Sequence, residues 1–171
     1  MSGPLKERLV WATALAVALP VLAFPIYNPD LFWHLSAGDW IVEHRRLPYE
    51  EFLSFSFPGK AWLDFEWGSQ VIFHGAYALG GFAGLWALKA LLLAGIGYCV
   101  NLALGKSCLP EPVRAGAVAV LALNAFAYSD IRPELFSLLF YALVLGELEA
   151  VRLGRAVDAA LFGKTALLFA V

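Results

Sequence analysis

An apolar run over residues 82–104 is the feature that most limits what this chain can fold into, because Lys89 is its only charged residue. A helix rises about 1.5 Å per residue, so a run of this length can cross the roughly 30 Å hydrocarbon core of a bilayer. The composition agrees: 61% of the 171 residues are hydrophobic and 15% are charged, whereas soluble domains carry about 25% charged residues. We therefore predict an all-α integral membrane protein that forms a single, multi-spanning membrane domain.

More apolar segments, divided by prolines and polar residues, extend this prediction along the chain. Lys6 and Arg8 precede the first segment, as in a signal peptide, but no small-residue cleavage site follows, so we predict a retained helix. The predicted spans are residues 9–27, 82–104, 113–128 and 135–151, and a fifth begins at 159–171. That last segment is too short to cross unaided. The chain is thus expected to be either the N-terminal part of a longer protein or a short protein with the front half of a fold.

Residues 65–80 combine apolar side chains with a polar stripe at helical spacing. The stripe consists of Glu66, Gln70 and His74. We predict an amphipathic helix that lies at the membrane surface and ends at Gly80-Gly81. This topology places the basic clusters on one side, as the positive-inside rule expects of the cytoplasm. The clusters are Lys6 with Arg8, Lys106 with Arg114, and Arg152 with Arg155. The N-terminus is then cytoplasmic, and residues 28–80 form a large outer loop.

Composition and motifs disfavour several other classes of function. The 12 Lys and Arg against 14 Asp and Glu leave a net charge of −2, which argues against nucleic-acid binding. Cys99 and Cys108 give no disulfide framework and no zinc-ligand spacing. The separations of His34, His44 and His74 match no compact metal motif. Inverted repeats are not evident, so a transporter is a weaker alternative.

The outer loop begins with Asn28-Pro29-Asp30, which has the composition of a helix start. We predict a helix from Pro29 to about His44, with Asn28 as N-cap and with Asp30 and His34 on one face. The alternative is that Asp30 only interacts with the helix dipole and that His34 is solvated.

The rest of the outer loop is predicted to be an extended connector or hairpin over residues 47–64. Phe55-Ser56-Phe57 alternates in polarity, and Pro58-Gly59-Lys60 is typical of a turn. The connector leads to Asp64 and Glu66, two acids beside tryptophans. Such acids at a membrane surface also serve as simple interfacial anchors.

Charged residues lie at two further positions near or within the apolar segments. Arg132-Pro133-Glu134 separates the third and fourth spans. The planar guanidinium of Arg132 suits a phosphate and Glu134 could orient it, but Arg132 could equally reach the lipid headgroups. Lys89 within its span must face a cavity, an acid or a lipid phosphate, and we favour a structural partner over a phosphate contact.

Five segments together resemble bacterial multi-spanning proteins of the GT-C glycosyltransferase superfamily, relatives of the protein O-mannosyltransferases and lipid A aminoarabinose transferases. The resemblance covers residues 28 to about 137 and depends on the order and spacing of the segments. These are Asn28-Pro29-Asp30-Leu31-Phe32-Trp33-His34-Leu35, Gly38-Asp39-Trp40-Ile41, Phe55-Ser56-Phe57 with Gly59 and Trp62, Phe65-Glu66-Trp67, and Arg132-Pro133-Glu134-Leu135-Phe136-Ser137.

The resemblance implies transfer of a sugar from a polyprenyl-phosphate carrier to an acceptor on the non-cytoplasmic face. It implies that Asp30 deprotonates or orients the acceptor, or holds a divalent metal ion, and that Glu66 is a second catalytic acid. The predicted substrate-binding set is His34, Lys89, Arg132 and Glu134.

The expected setting is the bacterial inner membrane, with the bilayer and the lipid-linked donor as partners. The alternative hypothesis is a non-catalytic membrane subunit or scaffold that packs in a larger complex with other membrane proteins.

Overall fold

The computed structural model describes residues 24–105, 109–125 and 130–154, together with Leu5, Arg8, Leu9, Trp11, Ala12, Ala16, Leu19 and Gly163. The main helices are α1 (Leu31–His44), α2 (Trp67–Gly105), α3 (Glu111–Ala125) and α4 (Glu134–Arg152). Among the described residues the only β-type pairing is an isolated antiparallel bridge between Glu50 and Ala61. The predicted all-α class is therefore confirmed for this part of the chain.

Helix α2 is bent at Gly81, whose backbone angles of φ 58° and ψ −143° favour glycine. The bend brings Gly84 against Ala76, so that a Cβ atom at position 84 would overlap the Ala76 carbonyl oxygen. Two segments result, residues 67–80 and residues 82–105. Within the described part of the chain, α2 is the one helix long and apolar enough to cross a membrane.

Helix α1 packs parallel to the first segment of α2, with polar side chains between them. The contacts that set this register are His34 with Glu66 (Nδ1 to Oε2, 3.7 Å), Gly38 with the carbonyl of Gln70, and Asp39 with His74 (Oδ1 to Nδ1, 3.8 Å). Gln70 is completely buried, so the polar stripe of the amphipathic helix faces α1. The opposite side of this segment exposes the apolar Ile72 and Leu79.

The chain before α1 contacts α2 and α3 at two levels. Trp11 donates a hydrogen bond to Glu111, and the guanidinium of Arg114 lies 5.8 Å from the Trp11 ring. Arg114 also donates to Asn101 of α2 (3.2 Å). At the other level, Lys89 of α2 donates to the carbonyl of Phe24. Trp11 is thus near the level of Asn101 and Phe24 is at the level of Lys89, so the chain before α1 runs antiparallel to this part of α2.

Helix α4 runs in the same direction as residues 82–105, because successive residues of the two pack together. Leu85 shares a buried cluster with Leu31, Phe73 and Ile131, and Leu92 and Ile96 share a second with Leu135. Burial of each such side chain contributes about 1.5–3 kcal/mol. These clusters hold the first turns of α1 and α4 at the same end of the bundle.

Helix starts differ from the sequence prediction by about two residues. Helix α1 begins at Leu31 and not at Pro29, because the Asn28 side-chain oxygen accepts the Asp30 N–H (3.1 Å) in a turn that makes Asp30 the N-cap. Helix α2 begins at Trp67, after Asp64 accepts the Glu66 N–H (3.1 Å).

Several predictions concern positions outside the described residues. These are most of residues 9–27, the end of the segment 113–128, the segment 159–171 apart from Gly163, and Lys6, Lys106, Cys108 and Arg155.

Candidate functional site

Two chain segments that are distant in sequence are hydrogen-bonded at the end of the bundle that carries α1. The Tyr27 N–H donates to the Asp130 carboxylate (2.7 Å), and the buried Asn28 side chain donates to the Ile131 carbonyl (3.3 Å). These bonds hold the residues that follow, Asp30 and Arg132, on the same side of the protein.

Asp30 is exposed at the N-cap of α1, and its carboxylate makes no capping hydrogen bond. Its backbone is held on both sides: the N–H donates to Asn28, and the carbonyl accepts from the His34 N–H (3.1 Å). The side chain is therefore accessible on a backbone fixed by hydrogen bonds, as a proton acceptor for a substrate would need to be.

His34 is only 3% exposed and packs between Trp33 (ring centroids 3.8 Å apart) and Phe73 (6.1 Å). Burial lowers the pKa of His34 to about 4, although the nearby charges of Asp30 and Glu134 act in the opposite direction. The imidazole is thus neutral at pH 7, and its 3.7 Å contact with Glu66 is not an ion pair. The alternative that His34 is solvated is wrong, and its position favours support of Glu66 over direct contact with a substrate.

Glu66 is half-buried where α2 begins. Burial raises its pKa, and the charges of Glu134, Asp64 and Asp30 raise it further. The positive charge of Arg132 also lowers the pKa of His34. The His34–Glu66 contact, the groove wall shared by Glu66 and Glu134, and the hydrogen bonds of residues 27–28 to residues 130–131 bring five of the six predicted site residues to one end of the bundle: Asp30, His34, Glu66, Arg132 and Glu134.

A groove of about 280 Å³ opens between the N-terminal ends of α2 and α4. Its walls carry two acids, two serines and three phenylalanines: Glu66, Glu134, Ser69, Ser137, Phe65, Phe136 and Phe140. Pro133 also lines it, which places Arg132 next to the groove in sequence. The two helix N-termini add partial positive charge at its edge. The groove therefore offers hydrogen-bonding groups and an apolar wall.

Sequence reasoning left Asp64 and Gln70 out of the predicted site. Gln70 donates to one Asp64 oxygen (3.0 Å), and that oxygen also accepts the Glu66 N–H (3.1 Å). Burial raises the pKa of Asp64 despite these hydrogen bonds, which lower it. The pair fixes the backbone at Glu66. An aspartate shortly before a predicted helix is the one sequence signal that indicates such a cap.

Lys89 is the predicted site residue that does not join this group. Its side chain is fully buried, donates to the carbonyl of Phe24 and lies 5.7 Å from the centre of the Phe24 ring. Asp130 is its charged neighbour. These contacts favour a structural role, in which Lys89 links α2 to the chain before α1.

The described residues contain no group of three or more His, Cys, Asp or Glu side chains arranged to hold a metal ion.

The buried His34 leads to a prediction on pH dependence. The unfolded chain takes up this proton near pH 6.5 and the folded protein near pH 4, so the unfolded state binds more protons throughout that window. The contribution of His34 to stability should be complete above pH 6.5 and fall by about 3 kcal/mol as the pH drops to 4, at about 1.36 kcal/mol per pH unit. Unfolding of detergent-solubilised protein at several pH values measures this change.

Two variants make this test specific. His34→Gln should lose most of the pH dependence in this window, whereas His44→Gln, at an exposed histidine of the same helix, should keep it. Parallel stability curves for wild type and His34→Gln would contradict the prediction.

Comparison of the chain with protein-family models, with curated proteins and with solved structures finds no match. Functional inference therefore depends on the residues of this site and on their geometry.

Proposed function

We propose that this chain is a multi-spanning membrane protein that forms the donor- and acceptor-binding part of a glycosyltransferase using a polyprenyl-phosphate sugar. The site would face the non-cytoplasmic side of the bacterial inner membrane. The observation that carries the proposal is that the hydrogen bonds of residues 27–28 to residues 130–131, and the groove shared by Glu66 and Pro133, hold Asp30, Glu66 and Arg132 at one end of the bundle. The apolar second segment of α2 supports one membrane crossing, and the other crossings belong to the proposal.

The proposed chemistry is displacement of the carrier phosphate by an acceptor hydroxyl or amine. Asp30 takes the acceptor proton as the new bond to the anomeric carbon forms, and the bond from that carbon to the phosphate oxygen breaks. The electron pair leaves with the phosphate. Arg132 pairs with the phosphate oxygens and stabilises the charge that develops there.

Glu66 has a different part in this proposal. Glu66 lines the groove, so its carboxylate can accept a hydrogen bond from a sugar hydroxyl bound there. Asp64 and His34 hold it in place. Glu134 lines the same groove, and its proposed part is to orient the neighbouring Arg132.

Direct donor binding tests the proposal. The purified protein in lipid nanodiscs should bind a polyprenyl-phosphate hexose, and Arg132→Gln should weaken binding about tenfold or more, as expected for loss of a charge-assisted phosphate contact. Arg46→Gln is the matched control, because Arg46 lies just beyond α1 and stacks on Trp40 (5.5 Å). No binding by the wild type, or equal effects of the two variants, would contradict the proposal.

A non-catalytic membrane subunit is the second candidate function. The exposed apolar side chains of residues 82–105, such as Leu91 and Tyr98, favour it because they leave surface that another membrane protein could cover. Constant co-purification with a stoichiometric partner, without donor binding, would support this candidate over the enzyme.

A further inference from the structure

The connector between α1 and α2 forms a hairpin with its own hydrogen bonds. Its two arms are joined where the Glu51 N–H donates to Lys60 (2.7 Å) and the Trp62 N–H donates to Tyr49 (2.9 Å). At the turn, the Glu51 carboxylate accepts the N–H groups of Leu53 (2.7 Å) and Ser54 (2.9 Å). Many backbone groups are thus paired within the hairpin, which lowers the free-energy cost of moving it into an apolar environment.

The base of the hairpin is attached to α1 by stacked aromatic rings. Phe52 lies 5.2 Å from Trp40 and 5.7 Å from Trp62, and Trp62 lies 6.4 Å from Trp33. This packing uses the inward side chains of the hairpin and leaves its tip projecting from the helices.

The tip presents aromatic side chains that contact little of the protein. Phe55 is 97% exposed and Phe57 is 63% exposed. Leu53 is 41% exposed as well, so the outer face of the tip is apolar at three positions. Full burial of a phenylalanine is worth about 1.5–3 kcal/mol, so exposure of this face to water is unfavourable.

The charge at the tip is positive. Lys60 lies 5.4 Å from the centre of the Phe57 ring, which places an ammonium beside the aromatic face. Lys60 is the only charged residue of segment 53–60, and of the two acids that precede the segment, Glu51 binds the backbone N–H of Leu53 and Glu50 lies at the bridge with Ala61. Aromatic rings next to a long cationic side chain are typical of proteins at the headgroup layer of an anionic bilayer.

From these observations we infer that residues 53–60 insert into the headgroup layer of the outer leaflet as a membrane anchor. The inference depends on the proposed membrane crossing of residues 82–105, since the same bilayer receives both. The hairpin thereby fixes the height of α1, and of Asp30, above the lipid.

The test is the depth of a fluorophore in vesicles of phosphatidylcholine and phosphatidylglycerol. Cys99 and Cys108 are first replaced by alanine, and Phe55→Cys or Phe57→Cys is labelled with an environment-sensitive dye. Nitroxide lipids labelled near the headgroup should quench this dye at least about twice as strongly as lipids labelled deep in the acyl chain. Glu43→Cys on exposed α1 should be quenched by neither, and Leu91→Cys should be quenched most by the deep label.

The controls separate the two proposals. If Leu91→Cys is quenched deeply and both hairpin positions behave like Glu43→Cys, the anchor is wrong and the membrane crossing stands. A blue-shifted dye without lipid quenching would place the tip against a second copy of the protein, and would also overturn the anchor. If Leu91→Cys is not quenched, the membrane crossing itself fails.

Discussion

Replacing Asp30 by asparagine is expected to reduce sugar transfer by about 10²–10⁴-fold, the usual range for loss of a general base. Asparagine keeps the size of the side chain and cannot accept the acceptor proton. The backbone contacts that hold position 30, to Asn28 and His34, do not involve the carboxylate. In membranes that contain the natural gene product with this substitution, kcat should therefore decrease. Donor binding and the amount of protein should be unchanged.

Asp39→Asn is the matched control for this prediction. Asp39 is an exposed acid of the same helix, and its carboxylate lies near His74 (3.8 Å). It follows His34 in the chain, whereas Asp30 precedes it. It should retain nearly full transfer. Undiminished transfer by Asp30→Asn would exclude Asp30 as the base, whatever the outcome of donor binding.

Replacing Gly38 by alanine is expected to destabilise the protein by about 2–4 kcal/mol, because overpacking forces the two helices apart. A Cβ atom at position 38 would overlap the carbonyl oxygen of Gln70 and lie 2.8 Å from the Cβ of His74. The overlap involves backbone, which cannot move aside as a flexible side chain can. Thermal or denaturant unfolding of detergent-solubilised protein measures the loss.

Gly75→Ala provides the comparison, since Gly75 lies in α2 and a Cβ atom added there would meet no neighbouring atom within 4 Å. Alanine there should leave stability unchanged or raise it by up to about 1 kcal/mol, through higher helix propensity. Equal stability of the Gly38 and Gly75 variants would contradict the parallel packing of α1 on α2. Because His34 and Glu66 meet through the same packing, Gly38→Ala should also weaken donor binding.

The candidate site could be predicted in large part because its residues stand out as charges in an apolar chain. Asp30, Glu66 and Arg132 interrupt or follow apolar segments, and the predicted membrane topology puts all three on one side. Lys89 also stands out as a charge in an apolar segment, but it donates a hydrogen bond to the carbonyl of Phe24 and does not join the site. The sequence does not show which backbone carbonyl lies opposite a buried ammonium. The sequence marks Asp64 only as an acid beside tryptophans, because its role comes from Gln70 and the Glu66 N–H, which the fold brings to it.

What the sequence determines by itself is local: a helical chain, the length of its apolar segments, and a break at Gly81, where the backbone favours glycine. Periodicity also shows that Glu66, Gln70 and His74 share one face. Only the tertiary structure decides what that face meets. A polar stripe is compatible with water as well as with a polar partner, and close approach at Gly38 selects the partner by burying Gln70 against α1.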